Sequence, residues 1–230
     1  GATNDTTTVS IGGYPYSVAV NPVTNKIYVA NAGNASVTVI DGATNSTATV
    51  SAGSIPCAIA VNPATNKIYV ANNFSANITV IDGATNNTTT VTAGTNPRAL
   101  AVNSVTNKIY VANKADGNVM VINGTNNDTT IIGDGISPEA IAVNSMTNKV
   151  YVVNIDNNNV MVIDGVTNGT TTVSVGNHPR AVAVNPVTNK IYVANEEDSS
   201  VTVIDGATNA TVTITVGDYP YALSVNPVTN

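Results

Sequence analysis

The sequence predicts an all-β chain, a β-propeller of four-stranded 41-residue blades. Three observations predict it. The motif Asn-(Pro/Ser)-x-Thr-Asn-Lys begins at Asn21, Asn62, Asn103, Asn144 and Asn185, an unbroken interval of 41 residues, and Asn226-Pro227-Val228-Thr229-Asn230 opens a sixth copy. Each copy contains four short β signals separated by turn residues, and a period near 40 with four strands is that of a propeller blade. Finally, 43% of the residues are hydrophobic but only 4% are aromatic, with no Trp and one Phe. A core of Val, Ile and Ala needs many small strands packed closely.

Within the first unit the elements follow in order. Tyr16 to Val20 is strand A, where Val18 and Val20 alternate with Ser17 and Ala19, and small residues suit the crowded innermost strand. Asn21 to Asn25 is a turn, because Pro22 presets φ and Asn tolerates tight conformations. Lys26 to Asn31 is strand B, with Ile27 and Val29 facing one neighbouring blade and Tyr28 and Ala30 the other. Val37 to Ile40 is strand C, closed by the turn signal Asp41-Gly42. Thr47 to Ala52 is strand D, whose threonines suit a solvent-facing outer edge. Neither face of such a sheet can stay bare, so the units must clamp one another.

Gly206 to Asn230 repeats the register of Gly1 to Asn25, so the chain is expected to hold five complete blades, a lone strand D at the N-terminus and a lone strand A at the C-terminus. Residues 1–230 therefore read as one propeller repeat domain, a window of a longer array or a ring whose gap another copy fills. The opening Gly-Ala-Thr-Asn is mid-repeat sequence and is expected to mark a mature or excised segment.

Composition removes several classes of function. A net charge of -6 without any cluster of Lys and Arg argues against nucleic acid. No apolar run approaches the roughly 20 residues that span a bilayer, so membrane insertion is not expected. Cys57 is the single cysteine, which leaves packing and hydrogen bonds to supply stability. With only 10% charged residues, the surface is solvated by Asn, Thr, Ser and Gly, which suits an extracellular or cell-surface protein.

Strand B reads Tyr28-Val29-Ala30-Asn31, recurs at 69, 110 and 192, and becomes Tyr151-Val152-Val153-Asn154 in the fourth unit. Together with Val39-Ile40-Asp41-Gly42-Ala43-Thr44-Asn45 and the Gly-x-x-Pro approach to strand A, it resembles the YVTN family of β-propeller repeats over essentially the whole chain. Ala or Val stands where the family name has Thr, and Pro-Val-Thr-Asn replaces the common Pro-Asp-Gly turn. The resemblance implies a propeller, usually of seven blades, and an extracellular setting such as an archaeal surface layer or a secreted bacterial protein.

In this strand order the D-to-A and B-to-C loops share one rim. The B-to-C loops vary between copies: Ala32 to Ser36, Asn73 to Asn77, Lys114 to Asn118, Ile155 to Asn159 and Glu196 to Ser200. The D-to-A loops bring Tyr16, Arg98, Glu139, Arg180 and Tyr221, with His178 before its proline, to the mouth of the central channel. Arg98 and Arg180 flanking Glu139 would grip a carboxylate or sugar acid, or the set would pair internally. His178 is the only histidine and no motif joins it to Cys57, so catalysis and cofactors are not expected; a lactonase or lyase reading rests on fold analogy alone.

Acidic residues of the B-to-C loops, Asp116, Asp156 and Asp198 beside Glu196 and Glu197, are weak calcium ligand candidates. Asp41, Asp82, Asp164 and Asp205, and Lys26, Lys67, Lys108, Lys149 and Lys190, recur once per unit and read as turn capping and surface pairing. Glycosylation sequons fall at Asn4, Asn45, Asn86, Asn127, Asn168 and Asn209, one register of the repeat, and also at Asn34, Asn73, Asn77, Asn87 and Asn123. The functional expectation is a non-catalytic extracellular scaffold of surface-layer, adhesive or filament type, partnered by itself or by further repeats. The alternative is a glycan- or small-molecule-binding propeller that uses the variable rim.

Overall fold

The computed structural model describes residues 6–133 and 137–227. Blade 1 consists of β1 (Pro15–Asn21), β2 (Lys26–Asn31), β3 (Ser36–Asp41) and β4 (Thr47–Ser51). Blade 2 consists of β5 (Pro56–Asn62), β6 (Lys67–Asn72), β7 (Asn77–Asp82) and β8 (Thr88–Thr92). Blade 3 follows with β9 (Pro97–Asn103), β10 (Lys108–Asn113), β11 (Asn118–Asn123) and β12 (Thr129–Ile132). Blade 4 holds β13 (Pro138–Asn144), β14 (Lys149–Asn154), β15 (Asn159–Asp164) and β16 (Thr170–Ser174). Blade 5 holds β17 (Pro179–Asn185), β18 (Lys190–Asn195), β19 (Ser200–Asp205) and β20 (Thr211–Thr215). Each blade is one antiparallel four-stranded meander in sequence order.

The innermost strands β1, β5, β9, β13 and β17 pack against one another in succession, so the blades are arranged about an axis with strand A inside. Side chains alternate across each sheet. Tyr69 and Ala71 of β6 therefore join Leu100, Ile109, Val111 and Ile122 of blade 3 in one core, while Ile68 and Val70 join Tyr28 and Val37 of blade 1 in another. Four such cores fill the four junctions between the five blades. Strand D is mostly exposed, as its threonines suggest, yet it contributes one buried residue to each core: Val50, Val91, Ile132 and Val173.

Polar couplings repeat at every junction. Asn21 Nδ2 donates to Asn66 Oδ1 at 2.9 Å, and Asn62, Asn103 and Asn144 donate likewise to Asn107, Asn148 and Asn189. Lys26 Nζ donates to the carbonyl of Gly83 at 2.7 Å, 57 residues away in the next blade. Lys67, Lys108 and Lys149 reach Gly124, Gly165 and Gly206 in the same way. This corrects the surface-pairing expectation: the recurring lysines join blades, and Lys190 alone among them pairs with an acid, Asp205 at 2.7 Å.

The turn aspartates behave as expected. Asp41 Oδ1 accepts from the backbone N–H groups of Thr44 and Ala43 and from the Thr44 hydroxyl. Those bonds, the Thr44 N–H foremost, hold the carboxyl below its ordinary range.

The flanking segments differ from expectation. Neither residues 6–13 nor 216–227 form a strand. A strand D ladders onto a strand C and a strand A onto a strand B, and among the described residues neither segment has that partner. Leu223 and Val225 nevertheless line, together with Tyr192 and Val201 of blade 5, a hollow of about 320 Å³. The end faces remain partly open: Val18 is 62% exposed where its equivalent Ile59 is 8%, and Ile214 is 50% exposed where Val173 is 7%.

Candidate functional site

A β-bulge near the start of each strand A builds the site. In blade 1 the register with β2 jumps between Pro15 and Ser17, leaving Tyr16 as the extra residue. The same jump leaves Cys57, Arg98, Glu139 and Arg180 unpaired in β5, β9, β13 and β17. A bulge re-aims the side chain of its extra residue. One residue per blade is thereby released from the ladder at the inner end of the sheets, and four of the five, Tyr16, Arg98, Glu139 and Arg180, are residues that the sequence placed at the channel mouth.

The loop before each bulge is sharply turned. Tyr14, Ile55, Asn96, His178 and Tyr219 all have φ between 52° and 58°. Their carbonyls anchor the B-to-C loops, as in Lys114 N to Asn96 O at 2.9 Å and Glu196 N to His178 O at 3.1 Å. This coupling carries the first residues of those loops into the site.

Five of the six predicted residues form one chain of contacts. Arg98 Nη1 donates to Tyr16 Oη at 2.7 Å and Arg98 Nε to Glu139 Oε1 at 3.1 Å. Arg180 Nη1 stands 3.8 Å from the same Glu139 oxygen, and its guanidinium lies 4.8 Å from the Tyr221 ring centroid. His178 joins through a residue that sequence reasoning did not assign to this site: Glu196 Oε2 contacts His178 Nδ1 at 2.8 Å and accepts from Arg180 Nε at 2.7 Å. The second addition is Lys114, whose Nζ donates to Glu139 Oε2 at 2.7 Å.

Glu139 is 7% exposed, and a carboxylate this deep needs cationic partners. It has Arg98, Lys114 and Arg180. Burial pulls the Arg98 pKa down, but hydrogen bonds to Tyr16 and Glu139 outweigh it and the guanidinium stays charged. The Arg180 bond, followed by His178, holds Glu196 below the usual carboxylate range despite some desolvation.

Cys57 occupies the equivalent bulge of blade 2 but is turned into the wall, its thiol 3.2 Å from the Pro97 carbonyl. Burial pushes its pKa up to about 11, so it is an inert thiol at neutral pH. The calcium candidates are not brought together. Asp116 accepts from Thr95 N at 2.8 Å and Asp198 from Asn177 Nδ2 at 2.8 Å, each fixing its own D-to-A loop, while Asp156 is exposed. Among the described residues no three His, Cys, Asp or Glu side chains assemble as a metal site.

The sequon register lies on the opposite rim. Asn45 is exposed, whereas Asn86, Asn127, Asn168 and Asn209 are half-buried in left-handed turns with a buried Oδ1. Asn127 lines a groove of about 380 Å³ against blade 2. Asn4 lies outside the described residues.

No protein-family model matches the chain, and no curated protein matches it significantly. Solved structures do. Hydrazine synthase of Kuenenia stuttgartiensis superposes with a TM-score of 0.79 at 19% identity, covering 97% of this chain and 74% of that one. A streptogramin B lyase gives 0.80 at 11% identity over 93% and 74% of the two chains. A chain of a nidogen/laminin complex gives 0.70 at 15% identity over 90% and 83%. The chain is a β-propeller. At these identities the likeness shows the fold alone, and the three names span a synthase, a lyase and a protein complex, so the propeller does not by itself choose a function.

Proposed function

We propose that this propeller is a non-catalytic extracellular scaffold of the YVTN, surface-layer or filament kind, which extends by packing one blade face on another. The carrying observation is the uniformity of the junctions. All four bury the same aliphatic positions and repeat the Lys-to-Gly and Asn-to-Asn couplings. The open face of blade 1, with Val18 and Val20 exposed, and that of blade 5, with Ile214 exposed, are the two halves of one more such junction. A further stretch of repeat or a second copy would complete it.

The non-catalytic part rests on the lone thiol being buried and protonated and on the lone imidazole being held by Glu196. The extracellular part rests on an uncharged polar surface and an exposed sequon at Asn45. A hexose mass on Asn45 in protein from its native source would support it.

Sedimentation of the full chain tests the assembly. Association that grows with concentration up to about 100 µM is expected by mass action, and Val18→Glu with Val20→Glu should abolish it while circular dichroism stays that of a β protein. A wild-type chain that remains monomeric throughout overturns the scaffold reading.

A further inference from the structure

The geometry points to a binding site for an acidic sugar of the uronic-acid class at the axial cluster of Arg98, Arg180, Lys114, Tyr16 and Tyr221. This inference is independent of whether the chain assembles.

The distribution of positive charge singles out this place. The chain has eight Lys and Arg. Five are the repeat lysines, taken up by blade junctions or by Asp205. The remaining three, Arg98, Lys114 and Arg180, all converge on Glu139. They face two carboxylates, Glu139 and Glu196, which leaves a local positive excess inside a protein of net charge -6. One further anionic group would balance it.

The donors for that group exist. A guanidinium carries five N–H donors. Arg98 spends Nε on Glu139 and Nη1 on Tyr16, and Arg180 spends Nε on Glu196, its Nη1 being beyond hydrogen-bond reach of Glu139 at 3.8 Å. Both side chains are about a quarter exposed, and Arg98 Nη2 and both Nη groups of Arg180 make no hydrogen bond among the described residues. A planar fork of this kind is matched to a carboxylate.

The ligand needs more than charge. Tyr16 and Tyr221 are 55% and 59% exposed, and each lies against one of the two arginines, 5.8 Å and 4.8 Å from ring centroid to guanidinium carbon. Two open rings beside two guanidinium forks offer flat faces for the C–H surface of a pyranose while the forks hold its carboxylate. An inorganic anion would leave the rings unused, and a neutral sugar would leave the charge excess.

Calorimetric titration of the full chain at low salt with glucuronate, with a short oligogalacturonate, and with glucose tests the inference. Glucuronate should bind, glucose should not, and salt near 0.5 M should weaken binding severalfold. Tighter binding of the oligomer would identify a polysaccharide as the source, and equal binding a free sugar. Glu139→Gln removes the internal competitor and should tighten glucuronate about fivefold or more. Tyr221→Ala, which leaves the ion cluster whole, should weaken it by a similar factor. Absence of glucuronate binding in both the wild type and Glu139→Gln, or equal binding of glucose, would overturn the site and leave a closed ion network. If Glu139→Gln fails to fold, the wild-type, salt and Tyr221→Ala titrations decide the question.

Discussion

Lys190 pairs with Asp205 of its own blade at 2.7 Å, whereas Lys149, one repeat earlier, donates to the carbonyl of Gly206 in the following blade at the same length. The residues are equivalent in sequence, and what separates them is the presence of a next blade within reach. The bond of Lys149 and its equivalents is part of a junction, and that of Lys190 is a half-exposed ion pair.

Stability should register the difference. Lys108→Ala removes a charge-assisted bond of 2.6 Å to the Gly165 carbonyl and is expected to cost about 2 kcal/mol. Lys190→Ala, whose pair is over a third exposed, should cost less than about 1 kcal/mol. Guanidinium denaturation measures both, and equal losses would deny the lysines their role between blades.

Ile55 holds φ at 53° although its side chain is branched at Cβ, a conformation that costs on the order of 1 kcal/mol. Asn96 occupies the same position in the next unit at φ 58°, and Asn tolerates it. Because Ile55 is 42% exposed, little packing is lost on replacement. Ile55→Asn is expected to raise the melting temperature by a few degrees; a fall would mean that the exposed isoleucine packs more usefully than its backbone strains.

The hydroxyl of Tyr69 is buried without a hydrogen-bond partner, and burial pushes its pKa up to about 12. With the folded value above the ordinary 10, the folded state keeps its proton where the unfolded chain has lost it. The contribution is complete below pH 10 and is lost between about 10 and 12, on the order of 1 kcal/mol per pH unit. Tyr69→Phe should stabilise the protein by about 1 kcal/mol at neutral pH and flatten that alkaline decline. Thermal melts of both proteins from pH 8 to 11 would show it, and identical slopes would contradict it.

Strand B, Lys26 to Asn31, was legible in the sequence to the residue, and the two faces read for it are borne out in the second unit, where Ile68 packs on blade 1 and Tyr69 on blade 3, because a period of two is a local property. The convergence of Arg98, Glu139 and Arg180 followed from repeat register. The bulge that aims them did not, since one extra residue leaves no mark in hydrophobic alternation. Lys114 and Glu196 were read as members of a variable rim, because the bond from Glu196 N to His178 O that swings the loop inward appears only once two loops are placed side by side. The lysine bonds were missed for a similar reason: their acceptors are glycine carbonyls 57 residues away, and a main-chain oxygen has no sequence signature. Residues 6–13 and 216–227 keep strand-like sequence but form no strand, since a ladder requires a partner that alternation cannot reveal.

The junction has a consequence for how such a molecule can change over generations. Each module carries the lysine that reaches forward and the glycine that receives from behind, so copying a single stretch of gene supplies a new blade together with both halves of its attachment. The bulged residues stand outside the repeated lysine and asparagine bonds and meet one another instead, as Arg98 and Arg180 meet Glu139, so their identity changes from copy to copy while those bonds stay the same. Enlargement of the body and diversification of the axial residues are thus separate inheritances, and a lineage can duplicate the one while it experiments with the other.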